Sequence, residues 1–326
     1  MKKILILAME QSVVQAIAGA QYCFQTVNFF LQQQGQSPLF EVHLVGLYEE
    51  VNPGFPGFRL QPDVLIENSF QGDLIIIPPL LGDFSEAISS NSKFLPWIRA
   101  QYESGAEVAS LCVGAFFLAA TGLIEGKHCS THWGFVDQFK AMFPGVKVQD
   151  GSIVTEESGI YSSGGANSYW NLLLHLVEKY AGREMAILLS KYFAIDIDRE
   201  SQASFSIFKG QKDHPDKQIL QAQEIIEKNF AKGLTVDLLA EQVHLGRRSF
   251  ERRFKKLTGN SVLEYVQRVK IEAAKRIFES SIKNCNEVMW EVGYTDAKAF
   301  RKVFQKITGL TPLEYRMKYN KVSKAA

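Results

Sequence analysis

No apolar run in this chain is long enough to cross a membrane. The longest nearly apolar stretch, Leu111 to Ile124, contains Gly and Thr and falls short of the ~20 residues a spanning helix needs. The opening, MKKILILAME, places six apolar residues between Lys3 and Glu10. That is too short for the apolar region of a secretory leader and reads as a first β-strand. Cysteine is scarce as well. Cys23, Cys112, Cys129 and Cys285 form no CxxC or other metal-ligand spacing, which argues against a disulfide scaffold or a zinc module and fits a reduced, cytoplasmic protein. Bulk charge is also missing, since the net charge is +1. The balance hides an asymmetry. Residues 216–326 hold 22 Lys and Arg against 13 Asp and Glu, and residues 1–215 hold 14 against 22. A basic module on an acidic body fits a nucleic-acid partner for the module alone. At 326 residues, 46% apolar and 22% charged, the chain is expected to form two ordinary globular domains.

The basic part contains itself twice. Phe250, Phe254, Gly259, Leu263, Glu264 and Tyr265 recur fifty residues later as Phe300, Phe304, Gly309, Leu313, Glu314 and Tyr315. Phe250, Phe254 and Leu257 are spaced for one buried helical face, as are Phe300, Phe304 and Ile307. The opposite faces carry Arg248, Glu251, Arg252 and Lys255, then Lys298, Arg301, Lys302 and Gln305. Gly259 and Gly309 are helix stop signals. A short helical segment precedes each basic helix, Thr235–Val243 and Asn286–Val292, with a brief turn between. Helix, turn, basic helix is the arrangement whose second helix enters the DNA major groove. One copy alone would serve equally well as a core helix with a solvated charged face; two copies with the same turn chemistry favour DNA.

These residues resemble the DNA-binding domain of the AraC/XylS family of transcription regulators. The resemblance covers residues 218–317 and rests on LAEQVHLGRRSFERRFKKLTG, the long helix SVLEYVQRVKIEAAKRIFESS, and EVMWEVGYTDAKAFRKVFQKITGLTPLEYR. The sequence departs from the family at Gly246, where a capping Ser is usual, and at Met289, where Ala is usual. The resemblance implies double-stranded DNA as partner, with RNA polymerase a further candidate. Base and phosphate contacts are expected from Arg247, Arg248, Glu251, Arg252 and Lys255, then from Ala297, Lys298, Arg301 and Lys302. Arg253 aligns with the inward-facing Val303 and is expected to be half-buried. Arg268, Lys270, Lys275 and Arg276, on the linking helix, are read as a solvated face.

The first part of the chain alternates short apolar strands (Lys2–Met9, Phe40–Leu47, Asp73–Ile77, Glu107–Leu111) with helices (Val13–Gln34, Phe94–Ser104, Glu184–Phe193), which implies a parallel sheet covered on both faces. Cys112 sits where the last of these strands meets a helix, with Gly114 two residues on. Such a sharp turn can hold a nucleophile above the sheet, and a helix N-terminus there would favour the thiolate. An inert buried Cys is the plain alternative.

With GLIEGKHCSTHWGFVDQF and GIYSSGGANSYWNLLLHLVEKYAG, this elbow resembles the ThiJ/PfpI, or class I glutamine amidotransferase-like, domain in the version fused to AraC-type modules. The resemblance covers residues 1–205 and implies a flavodoxin-like α/β sandwich. Peptidase-like members carry His directly after the nucleophile; here that residue is Val113. Glu10 stands too early for the Glu that other members place after the first strand. Cys112, Val113 and His132 are therefore expected to line a pocket that binds a small-molecule effector, with no catalysis, cofactor or metal. His128 and His132 are four residues apart, yet they are read as lying on a loop or strand, not as a helical metal pair.

The expected architecture is a flavodoxin-like parallel-sheet sandwich (1–205), a linker (206–217) and an all-α tandem helix-turn-helix domain (218–320). The expected protein is a cytoplasmic, ligand-controlled regulator, homodimeric through its first domain. The alternatives are a Cys-dependent hydrolase or amidotransferase tethered to DNA, and a thiol redox sensor.

Overall fold

A computed structural model describes residues 1–68, 70–197, 199 and 201–320. The chain divides into two compact units, Met1–Gln202 and Ala203–Ala326.

The first unit runs β1 (Lys2–Leu7), α1 (Val14–Gln33), β2 (Phe40–Gly46), β3 (Val64–Leu65), β4 (Leu74–Ile77), α2 (Phe84–Ser90), α3 (Phe94–Glu103), β5 (Glu107–Ser110), α4 (Ala115–Ala120), β6 (His128–Cys129), α5 (Val136–Met142), β7 (Lys147–Val148), β8 (Val154–Glu157), β9 (Ile160–Ser163), α6 (Tyr169–Ala181) and α7 (Arg183–Tyr192). The main sheet has the order β3-β2-β1-β4-β5-β9-β8. β1 lies inside it and pairs in parallel with β2 and β4. Its residues alternate between two cores. Leu5 and Leu7 join Ile75, Ile77, Val108 and Phe116 on one face. Ile4 and Ile6 join Leu74, Ile76, Ala109, Phe24 and Leu172 on the other. Strands buried on both faces have no polar side to show, so they read as continuous apolar runs.

The sheet is not parallel throughout. β8 runs antiparallel to β9 at one edge. Ser158 and Gly159 join the two strands, and both have left-handed φ, 56° and 72°, as a two-residue hairpin turn requires. The helices α2 and α5 add to those expected from the sequence. Asp83 caps α2 by accepting from the Ser85 and Glu86 amides.

The second unit is helical: α8 (Lys217–Asn229), α9 (Val236–Gln242), α10 (Arg247–Thr258), α11 (Val262–Ser280), α12 (Cys285–Glu291), α13 (Ala297–Thr308) and α14 (Pro312–Tyr319). It has two small cores. Ile219, Leu239, Phe250, Phe254 and Tyr265 form the first; Ile271, Val288, Phe300, Phe304 and Tyr315 form the second. α11 contributes to both, so one continuous helix carries two helix-turn-helix units.

Candidate nucleic-acid interface and elbow cysteine

The sequence repeat is a structural repeat down to single bonds. From Phe250 to Asn260 and from Phe300 to Leu310, buried, half-buried and exposed positions follow in the same order. The Thr258 and Thr308 hydroxyls each donate to the carbonyl four residues back, at 2.8 Å. Gly259 and Gly309 close the helices at φ 67° and 74°. Ser261 with Glu264, and Thr311 with Glu314, then form capping boxes that start the next helix. Each box satisfies two amides that would otherwise lack partners.

The starts of the recognition helices differ. Gly246 precedes α10 with no side-chain cap. At α13 the Asp296 carboxylate accepts from the Lys298 and Ala299 amides at 2.7 and 3.0 Å. The turns differ as well. His244 holds a left-handed φ of 53°; Gly293 takes that role in the second unit, where an added Cβ would fall 2.2 Å from the Ala231 carbonyl oxygen.

With the phenylalanines inward, the opposite faces are exposed. Arg248, Glu251, Arg252 and Lys255 lie outward on α10, and Lys298, Arg301 and Lys302 on α13. Arg247 is exposed but engaged: its guanidinium meets Asp237 at 2.8 Å and Glu251 at 3.7 Å. Lys255 donates to the Gly259 carbonyl at 2.8 Å. Arg248 and Arg252 form no ion pair with another described residue. Ala297 is half-buried against the second core. Arg253 is half-buried, as its alignment with Val303 suggests, and pairs with Asp216. Two exposed lysines, Lys256 and Lys306, extend the faces and were missed in the sequence; their matching repeat positions were the available signal.

The linking helix corrects the expectation of a solvated basic face at three of its four residues, since only Arg276 is exposed. Lys275 is 4% exposed and donates to the Ser206 carbonyl. Lys270 donates to the Gly293 carbonyl at 2.8 Å. The Arg268 guanidinium lies over the Phe208 ring.

In the first unit, Cys112 follows β5 with φ 54°, an unusual value for a residue with a side chain. A single 3₁₀ turn, Cys112–Gly114, separates the strand from α4. The Cys112 amide donates to Ser163 Oγ at 3.0 Å, and its carbonyl accepts from Thr131 Oγ1 at 3.4 Å. Gly114 is required here, because a Cβ would sit 2.6 Å from the Pro78 carbonyl oxygen. The elbow geometry is therefore present. The thiolate expectation is corrected: burial pushes the Cys112 thiol up to about 12, against a smaller opposing pull from the Val113 backbone. A short helix end does not offset the cost of putting charge in an apolar site.

Val113 is buried beside the thiol. His132 is half-buried and faces its own loop, where Nδ1 accepts from the Gly134 amide at 3.0 Å; burial lowers its pKa. Among the described residues it forms no hydrogen bond with Cys112. Nor do the two nearby histidines converge, since His128 on β6 pairs with Glu157 at 3.0 Å. Glu10 is held through its backbone by Asn91. A cavity of about 470 Å³ lies elsewhere in this unit, lined by Asn171, His175, Glu178 and Arg183 among others. Cys112, Val113 and His132 do not line it. The buried Gln202 was also missed. It bonds to the Thr131 and Ser152 carbonyls and to the Trp133 amide, partners at least fifty residues away that no local pattern reveals.

Comparison with known proteins bears on both units. The helix-turn-helix domain family matches residues 239–318, and the DJ-1/PfpI family matches residues 31–179. The HTH-type transcriptional regulator GbdR of Pseudomonas aeruginosa is 24% identical over 261 residues, covering 80% of this chain and 70% of that protein. Drosophila melanogaster DJ-1beta superposes with a TM-score of 0.50 at 19% identity, over 60% of this chain and 98% of that one. An AraC family transcriptional regulator from Pseudomonas putida superposes at 0.50 and 17% identity, over 59% and 100%. Both superpositions bear on the fold alone. No helix among the described residues is long and apolar enough to cross a membrane.

Proposed function

This chain belongs to the AraC-type transcription regulators that carry a DJ-1/PfpI domain, and from that premise we propose that a small effector bound in residues 1–205 controls how residues 218–320 read DNA, through the connecting residues 206–217. The protein is a sequence-specific DNA-binding regulator. One observation carries the two-box form of this reading: the two recognition helices repeat each other in burial, in their closing glycines and in outward basic residues. Two such helices on one linking helix suit successive major grooves, about 34 Å apart. One chain would then read two short boxes about one helical turn apart.

Within this proposal Arg248, Arg252, Lys298, Arg301 and Lys302 meet bases or phosphates directly. Arg247, Glu251 and Lys255 contribute after exchanging their present partners, and Ala297 offers an apolar contact at the start of α13. In the first unit the effector sits by Cys112, Val113 and His132 and is bound without turnover. The thiol pushed up by burial and the His132 turned to Gly134 support binding over catalysis. The left-handed φ of Cys112 is the one feature that favours the rival reading, a Cys-dependent hydrolase or thiol sensor. A homodimer formed by the first unit, contact with RNA polymerase and a cytoplasmic location complete the proposal.

The test is binding of the full chain to its own upstream DNA and to a random duplex, across a salt series. Preference for the upstream duplex should reach about a thousandfold, with affinity falling steeply as salt rises. Equal, weak binding to both duplexes, with and without candidate effectors, would overturn the proposal.

A further inference from the structure

Residues 203–216 contain only one helical turn, Ala203–Phe205, yet they contact both halves of the DNA-binding unit. The first few bind the second half. Tyr319 donates its hydroxyl to the Ser204 carbonyl at 3.1 Å, and Lys318 lies over the Phe205 ring. The next ten bind the first half. Phe208 packs edge-on against Tyr265. Gln223 donates to the Gln211 carbonyl at 2.8 Å, Lys212 pairs with Glu227 at 2.6 Å, and Asp216 pairs with Arg253 at 2.7 Å.

Between the two sets of contacts the segment crosses α11 at a buried ion pair. Glu272 and Lys275, 2.8 Å apart, are 8% and 4% exposed. Burying two charges is costly unless their remaining bonding capacity is met. Here the segment meets it: Lys275 donates to the Ser206 carbonyl at 2.6 Å, and the Phe208 amide donates to Glu272 at 3.1 Å. Gly210 allows the approach. Its φ is 72°, and a Cβ there would lie 2.3 Å from the Tyr265 hydroxyl.

We infer that residues 203–216 are a clasp that fixes the two recognition helices relative to each other, and that Glu272 and Lys275 are positioning residues for two-box DNA reading. α11 alone joins the halves through one helix. The clasp is a second tie in parallel, so bending or twisting of α11 must break contacts on one side or the other. The inference rests on the two-box reading above.

Two variants release the clasp by different routes. Glu272→Leu with Lys275→Met replaces the pair by apolar side chains, which a buried site tolerates. Gly210→Ala leaves the pair intact and drives the segment off Tyr265. The full-length proteins are compared on duplexes selected by the wild type from a random library, with both boxes, with one box, and with the spacing lengthened by about two base pairs. Both variants should bind one box within about twofold of the wild type, while the wild-type penalty for altered spacing falls at least about tenfold. Trypsin should also cut faster after Lys209 and Lys212. An unchanged spacing penalty, or unchanged cleavage, overturns the inference. Loss of one-box binding also overturns it, by making the clasp a folding element. If the wild type shows no preference for two boxes, the two-box reading itself falls.

Discussion

Arg253 and Asp216 meet as a bidentate pair, Nη2 2.7 Å from Oδ1 and Nε 3.0 Å from Oδ2. The contact joins α10 to the start of α8, where Asp216 also accepts from the Ile219 amide. Burial works to raise the Asp216 carboxyl, but Arg253 and the amide outweigh it and hold the group below its ordinary value. A depressed carboxyl stabilises the fold above the unfolded value, about 3.9, and that contribution is lost as pH falls through the folded one. Arg253→Val, which copies Val303, should cost about 1 kcal/mol at neutral pH. The difference from wild type should close in acid. Thermal unfolding across pH checks this; a variant as stable as wild type at pH 7 would count against it.

The unequal caps predict unequal responses. Asp296→Ala should destabilise the second unit by about 1 kcal/mol, and Gly246→Ser should stabilise it by a few tenths. Denaturant titration of the two variants reads both. Equal and opposite effects of similar size would contradict the cap geometry.

DNA contacts should divide by present engagement. Arg248 and Arg252 form no ion pair with described residues, whereas Arg247 must leave Asp237 and Glu251. Arg248→Ala or Arg252→Ala should weaken specific binding by about 1–3 kcal/mol where the side chain reads a base. Arg247→Ala should cost less. Binding assays on matched and mismatched duplexes separate loss of specificity from a uniform loss of phosphate contact; a dominant effect at Arg247 would refute the ranking.

Cys112 should be slow to alkylate at neutral pH. Its thiol is pushed up to about 12 by burial, and the thiolate is the reactive form. The neutral thiol favours the folded state below the unfolded value of about 8.5, and that contribution is lost as pH rises towards the folded value. Iodoacetamide labelling of folded and denatured protein, followed by mapping of the modified cysteine, tests this. Cys112→Ala should keep DNA binding. Rapid labelling of Cys112 in the folded protein would favour the redox or hydrolase reading.

Some of this was legible because its causes are local. Phe250 and Phe254 lie one helical turn apart, so their spacing alone names a buried face. Gly259 and Gly309 stand just past the last periodic residue, where glycine can take the left-handed φ that closes a helix. The elbow could be read from a strand, a Cys and Gly114 for the same reason. Lys275 could not be read this way. On a helical wheel it is a basic residue like Arg276, with Glu272 as a local partner, and only the Ser206 carbonyl, brought to it by folding, makes it a buried anchor. Nor could the antiparallel β8 be read this way; the Ser158-Gly159 turn reverses it, and only its pairing with β9 reveals it.

By itself, the sequence determined the repeat, the two-part organisation and the outward basic helix faces, because period, stop signals and charge are properties of neighbouring residues. Tertiary structure alone decided the burial of the Cys112 thiol, the burial of Lys275 and the docking of residues 203–216. Each depends on how much water and which polar groups remain beside a side chain, and segments far away in the chain set both.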